Sequence, residues 1–195
     1  MFIDPVPEDG APAPVAEMYA RDRRTWGFLP TFTRAFSHHP DAYAAWLQLI
    51  TAIRGNMDTR RCELATLAAA QVLRTTYCSV AHGRILRDRF HDAETVARIV
   101  ADHRAAGLDE VDVAVMDFAT KVAQDPTAIE AGDVRVLRDH GLGDRDVLDL
   151  VLAVAARCFF ATVVEALDAR ADVELTAGLE SDLLDALVAA RPPAA

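Results

Sequence analysis

Apolar residues recur along most of this chain at three- and four-residue steps. Trp46, Ile50, Ile53 and Met57 fall at i, i+4, i+7 and i+11 behind Pro40-Asp41, which predicts a helix over 41–57. Asp58 and Thr59 are cap residues for an Ala-rich helix over 60–74, whose small side chains allow close approach by neighbours. Thr75 and Thr76 offer a fresh N-cap for a helix over 77–90, and Asp92 caps a shorter one over 93–103 that Gly107 closes. Val111, Val115, Phe118 and Val122 repeat the pattern over 109–124 up to the Asp125-Pro126 breaker. A helix over 131–140 ends at Gly141, and Asp144 caps a long apolar segment reaching Ala169. In the polar stretch 171–195, Leu179, Leu183, Leu184, Leu187 and Val188 predict one last amphipathic helix. No segment alternates as a strand would. The pattern reads as a single all-α domain of roughly seven to nine helices, with a Pro-rich N-terminal segment over 1–14 and no internal linker.

Composition narrows the partners. At 195 residues and 52% hydrophobic, the chain can bury a core, so wholesale disorder is not expected. Its formal charge of −10 repels phosphate and argues against nucleic acid or an anionic membrane as partner. Asp4, Glu8, Asp9 and four prolines occupy the first fourteen residues, a stretch unlike a signal peptide, and a cytoplasmic location is the expectation. The apolar stretch 147–167 is interrupted by Asp149, Arg157 and Glu165 and is expected to serve as a central buried helix or a partly buried subunit contact rather than a membrane span. Three scattered cysteines, Cys62, Cys78 and Cys158, leave at least one free thiol and no disulfide framework.

Candidate chemistry concentrates between residues 63 and 82. On a helix, Cys78 and His82 share one face, while Arg84 and Arg87 point elsewhere. With Thr75 or Thr76 as N-cap, Cys78 falls in the first turn, where free backbone N–H groups and the helix dipole favour a thiolate. Glu63 lies on the preceding helix, and a short turn near 74–76 would fold its carboxylate back towards Cys78 or His82. A carboxylate, an imidazole and a thiol in one apolar pocket make a proton relay.

Glu63, Cys78 and His82 at this spacing resemble the carboxymuconolactone decarboxylase and AhpD-like alkylhydroperoxidase superfamily, whose motif is a Glu followed by Cys-x-x-Cys-x-x-x-His. Gly27-Phe-Leu-Pro30, Ser37-His-His-Pro40, His140-Gly-Leu-Gly-Asp144 and Phe159-Phe160 extend the resemblance over roughly 25–170. It implies an AhpD-like helical bundle, no metal or organic cofactor, and homo-oligomers in which helices of several subunits pack together. One position departs from the motif. Thr75 stands where redox-active members carry their first cysteine, so Cys78 has no partner for an intramolecular dithiol cycle. Its sulfenic acid would need an external thiol or a redox partner protein for reduction, and nothing in the spacing of Cys62 and Cys158 assigns them that task.

Three functions follow as expectations. The leading one is thiol-dependent reduction of a peroxide or similar small electrophile, with Cys78 as the reactive sulfur, His82 as proton shuttle, Glu63 as base, and Thr75 and Tyr77 in the substrate pocket. The second is a cofactor-free lactone decarboxylase or isomerase, in which Glu63 and His82 move protons and Arg74 or Arg157 could bind a substrate carboxylate, although ion pairing is the commoner use of such arginines. The third is a non-catalytic oligomer. Cys62 and Cys158 read as structural, His38 and His39 as exposed or capping groups. A zinc site at Cys78, His82 and Glu63 is not expected without the paired Cys or His clusters that announce one.

Overall fold

The computed structural model describes residues 1–194; Ala195, at the end of the expected tail, lies outside the described residues. Among these residues there are eleven α-helices and no strand. They are α1 (Ala13–Trp26), α2 (Thr31–Ala35), α3 (Pro40–Arg54), α4 (Thr59–Val72), α5 (Thr76–Arg89), α6 (Ala93–Asp102), α7 (Glu110–Gln124), α8 (Ala131–Asp139), α9 (Asp144–Ala166), α10 (Val173–Thr176) and α11 (Ser181–Leu187). A single 3-10 turn at Pro126–Ala128 joins α7 to α8.

The caps explain the boundaries. Asp58, Thr75 and Asp92 each accept a backbone N–H three residues on, at the starts of α4, α5 and α6. His39 caps α3 through Nδ1, and His38 reaches the Asp4 carbonyl, so both histidines serve the turn before α3. Asp144 does not cap α9: Gly143 occupies that position, and its N–H is bonded by the Asp146 carboxylate. Two helices extend the expected count at the N-terminal end. α1 buries Val15, Met18, Tyr19 and Asp22, a helical stripe with a carboxylate in its fourth place, and α2 buries Phe32 and Thr33.

α4 lies at the centre, with every residue from Cys62 to Ala70 buried and α5, α7 and α9 packed around it. Alanines let those neighbours approach its axis. α9 is long and apolar enough to cross a membrane by length and composition. In this fold it instead packs one side on α3, α4 and α7, burying Leu150, Val154, Arg157, Ala161 and Val164, and leaves Leu148, Ala155 and Phe159 exposed.

The α4–α5 hairpin sets the candidate site. The chain leaves α4 with Thr75 N–H bonded to the Ala70 carbonyl and Arg74 N–H to that of Gln71, the paired bonds of a Schellman ending. Its left-handed position is Arg74, at φ 53°, where glycine fits without the Cβ penalty. Arg74→Gly is expected to stabilise the protein by about 0.5–1 kcal/mol, read as a rise in the urea midpoint without a change in slope.

The C-terminal segment closes over the start of α5. Ala189 and Ala190 donate their N–H groups to the Thr76 hydroxyl, and Leu187 sits directly against Gly83. Any Cβ at residue 83 would lie 2.4 Å from a Leu187 methyl carbon, which accounts for a glycine in mid-helix.

Candidate active site

α4 and α5 run back to back, and that places Glu63 against His82. The His82 Nδ1–H donates to Glu63 Oε2, while Arg54, from the end of α3, donates to Oε1. Glu63 is fully buried. Burial alone would raise its carboxyl, but His82, Arg54 and Arg157 outweigh burial and hold it below the ordinary carboxylate value. His82 goes the other way from most paired histidines: burial and the Arg157 charge lower it despite the Glu63 carboxylate. The resting pair is therefore an ionised Glu63 and a neutral His82. Facing a carboxylate, Nδ1 carries the ring proton, and Nε2 remains the basic nitrogen.

Cys78 occupies the first turn of α5 with only 1% of its surface exposed. The Arg157 guanidinium, from the middle of α9, donates through Nη1 to its sulfur at 3.5 Å. Cys78, His82 and Arg157 line one cavity of about 350 Å³. Its other walls are largely aromatic: Trp26, Phe32, Tyr43, Trp46, Tyr77 and Phe160. Trp46 stacks on Phe160 with centroids 4.6 Å apart, and the Trp46 indole N–H donates to the Ala156 carbonyl, fixing that wall to α9. Asp22 enters from α1, where its carboxylate accepts from the Tyr43 hydroxyl at 2.8 Å and the Thr33 hydroxyl at 2.6 Å.

The structure thus brings Cys78 and His82 to one cavity with Glu63 directly behind His82. Tyr77 presents its ring to that cavity while its hydroxyl donates to Asp172, which also accepts from Thr31 N–H at 2.9 Å. Burial and the neighbouring Asp172 carboxylate push the Tyr77 phenol far up, so it stays protonated as a structural donor. Thr75, expected in the pocket, is not among the lining residues; its hydroxyl is spent on the N-cap of α5. Arg74 is exposed at the α4–α5 turn, away from the cavity. Cys62 is buried and Cys158 half-buried, and burial raises both thiols. Sequence reasoning gave no role to Arg54, Asp22 or Trp26 and treated Arg157 first as an ion-pairing residue. Arg157 had a readable signal, because it stands in the stripe Leu150, Val154, Arg157, Ala161 and Val164, a core position occupied by a charge. Among the described residues no group of three His, Cys, Asp or Glu side chains has the arrangement to hold a metal ion.

Residues 40–121 match the family model of the carboxymuconolactone decarboxylase family, a span that contains Glu63, Cys78 and His82. No curated protein matches the chain. Among solved structures, the fold is shared with an alkylhydroperoxidase AhpD core protein, peroxidase-related, from Ralstonia eutropha JMP134, at TM-score 0.81 and 22% identity over 89% of this chain and 93% of that one. A peroxidase-related protein from Silicibacter sp. TM1040 is similar at TM-score 0.82 and 22% identity, covering 92% of this chain and 95% of that one. The debrominase Bmp8 superposes at TM-score 0.75 and 16% identity over 96% of this chain and 98% of its own; a variant of it with a cysteine replaced by alanine was solved with 2,3,4-tribromopyrrole.

Proposed function

We propose that this chain, whose residues 40–121 match the carboxymuconolactone decarboxylase family model and whose fold is shared with AhpD-like peroxidase-related proteins, is a thiol-dependent reductase of a peroxide or another small electrophile, working through Cys78. The observation that carries this reading is that Cys78 and His82 line one cavity of substrate size, with the imidazole fixed from behind by the contacts Arg54–Glu63–His82. His82 makes no direct hydrogen bond to the sulfur, whose partner is Arg157, so a water in the cavity carries the thiol proton to His82 Nε2, and the imidazolium so formed is stabilised by the Glu63 carboxylate at Nδ1. The Cys78 sulfur attacks the distal peroxide oxygen and the O–O bond breaks. His82 then returns the proton to the departing alkoxide, so thiol plus hydroperoxide gives sulfenic acid plus alcohol. With Thr75 in place of a second cysteine, two external thiols complete the cycle: one forms a mixed disulfide with loss of water, the other releases Cys78. Peroxide consumption with an added dithiol, together with trapping of a sulfenic acid on Cys78, tests the reading; an inert Cys78 rejects it.

A second reading is favoured by the aromatic walls and by the debrominase among the neighbours. Here the same sulfur takes the halogen of a small ring as a sulfenyl bromide while a proton from His82 replaces it on carbon; one external thiol then expels bromide from the sulfur as a mixed disulfide, and a second releases Cys78. Bromide release from 2,3,4-tribromopyrrole without peroxide consumption would select it.

Self-association belongs to the same proposal. Leu148, Ala155 and Phe159 form an exposed stripe along α9, with Leu49 of α3 also exposed. A contiguous apolar face of this kind is commonly covered by a second copy in such bundles. Light scattering should give a mass above that of one chain, and Leu148→Glu with Phe159→Glu should reduce it to one. A single-chain mass for the wild type at micromolar concentration would reject this part.

A further inference from the structure

Among the described residues, one cation of the cavity has no carboxylate at ion-pair distance: it lies over the Phe160 ring, 5.5 Å from the centroid, and meets Glu63 only at longer range. This cation is Arg157, which is 5% exposed and whose Nε is buried without a partner. Arg54 and Arg21 also line the cavity, but each has its counter-ion, in Glu63 and Asp22. His82 is neutral at rest, so it neither adds to nor cancels the excess. In a chain whose formal charge is −10, an unpaired buried guanidinium in an open cavity is the exception that calls for a ligand.

We propose that this cavity binds a small aromatic monocarboxylate, with the anion on Arg157 and the ring against Trp26, Trp46 and Phe160. A guanidinium presents parallel donors that match a planar carboxylate, and a single unpaired cation calls for a single negative charge. The aromatic walls take a flat ring, and a volume of about 350 Å³ admits one ring with short substituents. Because Arg157 Nη1 also touches the Cys78 sulfur, a carboxylate held there places the rest of the ligand beside the nucleophile. This inference names the substrate class for the Cys78 reaction and rests on that reading for what becomes of the ligand, though not for its binding.

The chain's two tryptophans, Trp26 and Trp46, both line the cavity, so intrinsic fluorescence reports its occupancy. Titration with benzoate, and in parallel with its neutral isostere benzamide, should show benzoate binding at least tenfold more tightly. Arg157→Gln should remove that preference, Arg157→Lys should keep part of it, and Cys78→Ser should leave it in place. In the unmutated protein, benzoate but not benzamide should slow alkylation of Cys78 by iodoacetamide, a readout that needs no variant to fold. Equal binding of the two probes, no saturable response to either, or a preference that survives Arg157→Gln would overturn the proposal. So would a slower alkylation in Arg157→Gln with unchanged probe preference, since Arg157 would then serve the sulfur alone. If Cys78 forms no sulfenic acid while benzoate still binds through Arg157, the redox reading falls and the carboxylate site stands; the opposite pattern removes only the carboxylate site.

Discussion

Cys78→Ser should lower the rate of peroxide consumption by about a thousandfold or more and abolish sulfenic-acid trapping, while leaving the fold and the urea midpoint nearly unchanged. Serine differs from cysteine by one atom and fits the same buried first-turn position of α5, so the structural cost is small. What is lost is the only atom at the cavity wall able to be oxidised and reduced in a thiol cycle, because Cys62 and Cys158 do not line the cavity. His82→Ala should slow the same reaction by about a hundredfold or more, since proton transfer typically contributes on that scale. The two variants together separate the mechanisms. If Cys78→Ser keeps turnover of a carboxylated lactone under anaerobic conditions while His82→Ala loses it, the protein works by moving protons and the sulfur only shapes the pocket.

Glu63→Gln should damage both stability and rate. Glu63 is wholly enclosed and holds two partners, so the amide leaves the Arg54 charge and the His82 N–H without an anion. Breaking a buried ion pair usually costs about 3–5 kcal/mol, and the lower end applies because the Arg54 side chain, 38% exposed, can be rehydrated. The urea midpoint reports this loss. Wild-type stability should also fall on acidification in two steps. Both groups are depressed in the folded state, so the unfolded chain binds more protons and stability drops as pH falls. His82 contributes first, as pH descends from its ordinary value of 6.5, and Glu63 follows below 4.5. In Glu63→Gln the second step should vanish. For activity, the acid limb set by His82 should lie below pH 6.5, because a depressed imidazole remains a base there.

The sequence made the hairpin of α4 and α5 legible because its signals are local. Thr75 as cap, Cys78 in the first turn, His82 one turn later and a tight turn before them all follow from spacing, and from these the contact of Glu63 with His82 could be anticipated. Two things were not legible. α1 and α2 lack a clean apolar stripe, since Asp22 occupies a core position and α2 has only five residues, so the wall formed by Trp26 and Phe32 went unassigned. Pairings across long stretches of chain carry no periodic signature either. Thr31 with Asp172 and Cys78 with Arg157 arise only when distant helices are docked. Thr75 was read both as a cap and as a pocket residue; its hydroxyl accepts the Cys78 N–H, and it is not among the residues lining the cavity.

The cavity wall draws on residues from Arg21 to Phe160, and Asp172 then fastens Tyr77 from behind. While the chain is being made, Cys78 leaves the ribosome well before Arg157 and Asp172 do. Until α9 emerges, that sulfur belongs to an unfinished hairpin, open to any oxidant or alkylating agent in its surroundings. Nascent chains arrested short of residue 157 should be labelled at Cys78 as fast as an unstructured peptide, and those extended past 172 and clear of the exit tunnel should be shielded. On this expectation, maturation of the thiol is timed by translation of about the last quarter of the protein, from α9 onward.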